Sequence, residues 1–276
     1  MPPSCDRVFR LFVNKAAAGC LCVFPRVFQC VPVQQIPWGV PQRSTVDLLV
    51  GGFIAKAQDF PWHASMFHKI GRTWEYQCAG SLISERFVLK AKHCTLEGDD
   101  PIPVDRILIK FGLQKYTKEN SNSQKRAALQ VYRASGNLWE GFRNDIALIK
   151  LLEEVAITEH VLPVLLVEEE PPARTMGTVV GFGYTQESGP SEPLRQLELP
   201  VIDSRQCTFR HANYKLDLGQ FCAGHSDNKT ACNGDSGGGL YHQLNPITFH
   251  AGFQQFSDFV ELLEDRKQYQ DNGLGM

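Results

Sequence analysis

The sequence predicts an all-β protein, a barrel or sandwich occupying most of the chain from about residue 49. Two observations carry that prediction. Short apolar stretches with many β-branched and aromatic residues recur: "GSLISERFVL", "RILIKFG", "DIALIKLL", "GTVVGFGY", "LRQLELPVI" and "ITFHAGFQQF". Gly, Pro, Asn and Asp lie between them and supply the turns that many short strands need. The 276 residues suffice to bury a large core, and no repeat of roughly 20 to 50 residues suggests a solenoid.

Taken in order, residues 1–48 hold six prolines (Pro2, Pro3, Pro25, Pro32, Pro37, Pro41) and four cysteines with little periodicity. They read as an irregular leader or pro-segment. Within them Arg7, Arg10 and Lys15 precede the apolar "AAAGCLCVF" at 16–24, which has the length of a signal-peptide core. Asp6, Gly19 and the lack of a small-x-small cleavage site count against it, so a signal peptide and an incomplete N-terminus both remain open. The β region follows from 49. Its "EEE" at 168–170, followed by Pro171 and Pro172, reads as a solvated connection between two β halves, the second beginning near 174. In the tail, "DFVELLEDRKQ" spaces Phe259, Val260, Leu262 and Leu263 as a short amphipathic helix would.

Composition narrows the functional classes. The chain carries 28 basic and 30 acidic residues, a net charge of −2, which gives no electrostatic footprint for nucleic acid or a membrane surface. No apolar run reaches the roughly 18 residues of a spanning helix. Nine cysteines point to an oxidising, extracellular compartment, and the odd count leaves at least one without an internal partner.

Chemistry concentrates at three places. Serine nucleophiles need a base near the hydroxyl, an acid that orients the base, and donors for the developing oxyanion. Of eight histidines, only His93 sits in "LKAKHC", beside a cysteine at the end of an apolar strand. Asp145 leads directly into the alternating strand "DIALIKL". Ser236 lies in the glycine-rich "CNGDSGGGL", where the backbone N–H groups of Gly234 and Ser236 could face one oxyanion. Each feature alone is ordinary: a His beside a Cys is usually packed or solvated, and "GDSGG" can be a plain turn. Their joint occurrence in the order His, Asp, Ser makes the signal specific.

From about Leu49 to Leu240 the chain resembles the chymotrypsin/trypsin family of serine proteases. The matching stretches are "LVGG" (49–52), "FPWHASM" (60–66), "CAGSLIS" (78–84), "AKHC" (91–94), "DIALIKL" (145–151), "VVGFG" (179–183), "FCAG" (221–224) and "CNGDSGG" (232–238). In texture it is most similar to the catalytic domains of arthropod clip-domain, snake-like proteases, although a leader with four cysteines does not make a clip domain. The resemblance implies two packed six-stranded antiparallel β-barrels over 49–276, with an atypical tail at 257–276. It implies His93 as general base, Asp145 as its orienting acid, Ser236 as nucleophile, and Gly234 and Ser236 as oxyanion donors. Asp235 would receive the new α-amino group of Leu49 after zymogen cleavage. Cys78–Cys94 and Cys207–Cys222 match family disulfides. A protein substrate, an activating protease and a serpin-type inhibitor are the implied partners, with no cofactor and no metal.

The chain also departs from that pattern. Leu49 follows "TVDL" where the family usually has Arg or Lys, so activation requires a cut after Leu48 or is lost. Lys90 and Lys92 stand where small residues are usual. A cation there would disfavour the His93 imidazolium, unless Lys92 points outward and changes little. Gly177 and His242 replace the family's inner cysteine pair, and no cysteine follows Cys232 to become its usual partner. At the pocket floor Thr230 replaces the aspartate of trypsin-like members, and Asp227 lies three residues upstream. An apolar or aromatic side chain before the scissile bond is therefore expected. "NKT" at 228–230 is a glycosylation sequon, and "EGDD" at 97–100 reads as a solvated turn before it reads as a calcium loop.

Two functions compete: a serine endopeptidase in an extracellular proteolytic cascade, and a non-catalytic homologue acting as a secreted binding or regulatory protein. Retention of all three triad residues favours the enzyme.

Overall fold

The computed structural model describes residues 52–135, 144–167, 171–184, 190–203, 221–224, 231, 234–245 and 248–252, and two short leader strands at 20–22 and 30–32. In the leader, β1 (Cys20–Cys22) pairs antiparallel with β2 (Cys30–Pro32), so a hairpin exists where the sequence suggested only irregular chain. The domain proper opens with β3 (Phe53–Ile54).

Six strands then close a barrel: β4 (His63–Ile70), β5 (Thr73–Ser84), β6 (Phe87–Lys90), β9 (Ile107–Phe111), β10 (Gln124–Arg133) and β11 (Ala147–Leu151). The order around it is β10-β11-β6-β5-β4-β9, and every pairing is antiparallel. Alternation explains the inside. Along β9, Ile107, Ile109 and Phe111 point inward and are buried, while Leu108 and Lys110 are half-buried. They meet Met66, Leu82, Val88, Leu89, Leu148 and Ile149 in one continuous core. Between β6 and β9 the acidic "EGDD" forms a small hairpin of β7 (Leu96–Glu97) and β8 (Asp100–Pro101). It turns at Gly98, whose φ of 64° suits glycine.

The second half contains β12 (Leu165–Val167), β13 (Met176–Gly181), β14 (Arg195–Ile202), β15 (Cys222–Ala223), β16 (Tyr241–Asn245) and β17 (Thr248–Gly252). Its described strands make a seven-stranded sheet in the order β12-β17-β16-β13-β14-β15, with β3 added against β14. The β12–β17 pairing is parallel; the others are antiparallel. Leu197, Leu199, Val201 and Leu240 form its own small core. At Gly177 a Cβ would lie 2.5 Å from the Leu240 side chain, so the leucine packs directly against this glycine.

Aromatic side chains join the halves. Trp62 and Tyr241 are fully buried with ring centroids 5.4 Å apart, and Phe60 lies 6.5 Å from Tyr241. The hydroxyls of Ser81 and Tyr241 share a buried hydrogen bond of 2.8 Å across the seam. The site lies where β5, the end of β6 and the Gly234–Gly237 turn converge.

Candidate active site

His93 opens a single 3-10 turn, His93–Thr95, directly after β6. That turn is held on several sides. The Thr95 N–H and hydroxyl both donate to the Lys92 carbonyl, at 2.8 and 2.7 Å. Arg133 on β10 donates to the Thr95 hydroxyl and carbonyl at 2.8 and 2.9 Å. Cys94 is joined to Cys78 of β5 by a disulfide. The loop is thereby fixed to two strands of the barrel.

Asp145 lies just before β11 and bonds His93 twice. Its Oδ1 accepts the His93 backbone N–H at 2.8 Å, and its Oδ2 lies 2.7 Å from Nδ1. With a carboxylate on that side, Nδ1 carries the proton and Nε2 is left with the lone pair of a general base. The histidine side chain is 39% exposed against 17% for the aspartate, so the carboxylate is screened while the imidazole reaches solvent. Asn144, at φ 54°, donates its side-chain amide to the Ser135 carbonyl at 2.9 Å and sets the approach to Asp145.

Ser236 lies in the half-buried turn Gly234–Gly237. Its carbonyl accepts the Ala79 N–H of β5 at 2.9 Å and lies 3.6 Å from the Cys94 sulfur, which itself is 3.6 Å from His93 Nε2. The Ser236 carbonyl and the imidazole thus approach the same disulfide sulfur. Among the described residues no hydrogen bond joins its hydroxyl to His93, a bond that commonly tightens only with substrate present. Gly234 and Gly237 have φ of 95° and 81°. A Cβ on Gly237 would lie 2.7 Å from the Ala79 carbonyl oxygen, so both conformation and space demand glycine.

Asp235 points away from Ser236, into a slot between Gly181 and Gly183. Its Oδ1 accepts the Gly183 N–H at 2.9 Å, and a Cβ on either glycine would lie 2.1 Å from a carboxylate oxygen. The "VVGFG" glycines are there to admit this carboxylate.

The two lysines behave differently from the alternatives the sequence allowed. Lys92 does not point outward: it is 9% exposed and donates its ammonium to the Ala134 carbonyl at 2.8 Å, and burial lowers its pKa from the ordinary lysine value despite the opposing Asp145 carboxylate. Lys90 turns into the barrel, fully buried with its amine on the Met66 sulfur, and burial pushes its pKa well below the ordinary lysine value. Cys78, His93 and Cys94 bring potential metal-ligand atoms together, but both sulfurs are engaged in the disulfide and do not offer thiolates.

Leu49, Cys207, Thr230 and Cys232 lie outside the described residues, as do the "EEE" connection, the sequon and the tail from 257. Cys222 is disulfide-bonded. Sequence reasoning missed Tyr76, whose hydroxyl donates to the Gly234 carbonyl at 2.6 Å. A bulge hides it: Phe67 pairs with Tyr76 and Met66 with Cys78, so Gln77 is extra and simple alternation fails to place the ring.

A family model described as Trypsin matches residues 49–257. The proclotting enzyme of Tachypleus tridentatus is 31% identical over 226 residues, covering 75% of this chain and 60% of the relative. Clotting factor C of the same species and Limulus clotting factor C of Carcinoscorpius rotundicauda are each 30% identical over 232 residues, 78% of this chain and 22% of the relative. The chain therefore spans only part of each of these proteins.

Proposed function

Because the chain belongs to the trypsin family, a family of serine proteases, we propose that it is a serine endopeptidase working through an acyl-enzyme. The observation that supports this most directly is the doubly bonded pair of Asp145 and His93. It holds one tautomer of the ring, and the carboxylate stabilises the imidazolium that forms when Nε2 takes the Ser236 proton. The serine oxygen attacks the peptide carbonyl. The N–H groups of Gly234 and Ser236 receive the negative oxygen, and His93 returns its proton to the leaving amine. Water then enters with His93 again as base, releasing the acid and regenerating Ser236.

Activation follows from Asp235. Its carboxylate, seated between two glycines, is the acceptor for the amine that cleavage after Leu48 would create at Leu49. The resemblance gives Thr230, not an aspartate, the pocket-floor position, so an apolar or aromatic residue before the scissile bond is the preferred substrate. The Cys207–Cys222 disulfide would brace that half. The relatives' names place them in clotting, which supports secretion and a role in an extracellular cascade, with a protein substrate, an activating protease and a serpin-type inhibitor as partners. Among the described residues no helix is long and apolar enough to cross a membrane.

The test is labelling with a serine-directed fluorophosphonate after cutting between Leu48 and Leu49 with a protease that cleaves after leucine. Wild type should label and Ser236→Ala should not. A correctly cut wild-type chain that stays unlabelled would overturn the reading in favour of a non-catalytic homologue.

A further inference from the structure

We propose that Tyr76 is a positioning residue for the oxyanion site, holding the Gly234–Asp235 peptide in its working orientation through the bond from its hydroxyl to the Gly234 carbonyl. The inference rests on the endopeptidase reading above.

Tyr76 lies on β5 in the first half, 158 residues before the glycine it contacts, and its hydroxyl stands 2.6 Å from that carbonyl oxygen. The ring is fixed before the contact is made. It is buried among Phe67, Tyr116 and Phe182, with centroid separations of 5.7, 5.8 and 5.5 Å. Its Cε1 lies 3.3 Å from the position a Gly234 Cβ would occupy, and the Gly183 Cα lies 3.2 Å from that position on another side. Gly234 is thus gripped between an aromatic edge and a second glycine. Burial and the neighbouring Asp235 carboxylate push the phenol pKa upward, so the hydroxyl remains a donor at every pH where the enzyme would work.

The consequence comes from peptide geometry. The two proposed oxyanion donors, the N–H groups of Gly234 and Ser236, flank the Gly234–Asp235 peptide. At the φ of 95° found at Gly234, glycine leaves this plane free to turn. Were the carbonyl to swing toward the substrate, its partial negative charge would face the developing oxyanion. The phenol holds it on the opposite side. Gly183, donating to Asp235 Oδ1 at 2.9 Å, fixes the next side chain and not this plane.

The experiment compares wild type, Tyr76→Phe, Tyr76→His and Ser236→Ala, each as the full chain cut after Leu48. It reads kcat and KM on a peptide amide, and the affinity of a peptide boronic acid, whose tetrahedral adduct places an oxygen at the oxyanion donors. Losing a direct oxyanion donor costs about 10²–10³ in kcat, so a group one bond behind should cost about 10-fold. Tyr76→Phe should lower kcat and boronate affinity by that factor, with KM and the melting temperature nearly unchanged. Tyr76→His keeps a ring N–H donor and should retain more of both than the phenylalanine variant. Three results would each overturn the proposal with an active wild type: unchanged kcat and boronate affinity in Tyr76→Phe, equal losses in the two variants, or a loss that merely tracks the folded fraction. An inactive, unlabelled wild type would instead overturn the endopeptidase reading, and this one with it.

Discussion

Lys90 shows how a single residue can keep a fold and strain its stability. Its side chain is fully buried inside a barrel otherwise lined by hydrocarbon, and its amine meets the Met66 sulfur. Burial pushes its pKa well below the ordinary lysine value, so folding disfavours the charged form relative to the unfolded chain. Between the lowered folded value and the ordinary value, the unfolded state binds one more proton, and stability therefore falls as pH falls. The slope for one such group is about 1.4 kcal/mol per pH unit. Lys90→Met removes the group at similar volume. It should raise the urea midpoint, and its advantage over wild type should widen on going from pH 10 to pH 8; a constant difference would mean the amine is charged in place. The His93–Asp145 pair is set by contacts of another kind. The sequence makes His93 and Asp145 identifiable by their settings, but the two bonds between them come from a 3-10 turn and a strand entry 52 residues apart.

At the level of elements, the serine turn works because glycines let backbone approach backbone. Gly237 has φ 81°, and a Cβ there would meet the Ala79 carbonyl oxygen at 2.7 Å and the Ala91 nitrogen at 3.1 Å. Those atoms belong to β5 and to the segment leading to His93, which cannot yield without moving the site. Gly237→Ala should therefore reduce fluorophosphonate labelling by about 100-fold, the loss expected when oxyanion donors are displaced, while near-ultraviolet circular dichroism shows the barrel still packed. Normal labelling would show that the loop has room to adjust. Several strands were legible beforehand: "RILIKFG", "DIALIKLL", "GTVVGFGY" and "LRQLELPVI" became β9, β11, β13 and β14 because each is a short run with period-two burial or β-branched content. The β5 bulge was not legible, since an extra residue in a strand leaves no mark in the residue types around it. The parallel pairing of β12 with β17 was equally hidden, because it joins segments more than 80 residues apart.

For the molecule as a whole, the seam between the halves carries the proposed site, with His93 and Asp145 on the first half and Ser236 on the second. Tyr241 and Ser81 are both fully buried and share their 2.8 Å bond across it, and the Gly239 N–H donates to the same phenol oxygen at 3.3 Å. Tyr241→Phe leaves the serine hydroxyl and that N–H without this partner, which should cost about 1–3 kcal/mol, read as a lower urea midpoint with an unchanged slope. A shallower or split transition would mean that the halves unfold separately. The residue types needed for serine chemistry, their order along the chain, the all-β class and the glycine turn were determined by the sequence, because each depends on local spacing or intrinsic backbone freedom. The fate of Lys90 and Lys92, the slot for Asp235, and the hold of Tyr76 on Gly234 were decided only in the tertiary structure. Each is a contact between residues far apart in the chain, and what a buried side chain meets depends on how closed strands bring distant segments together.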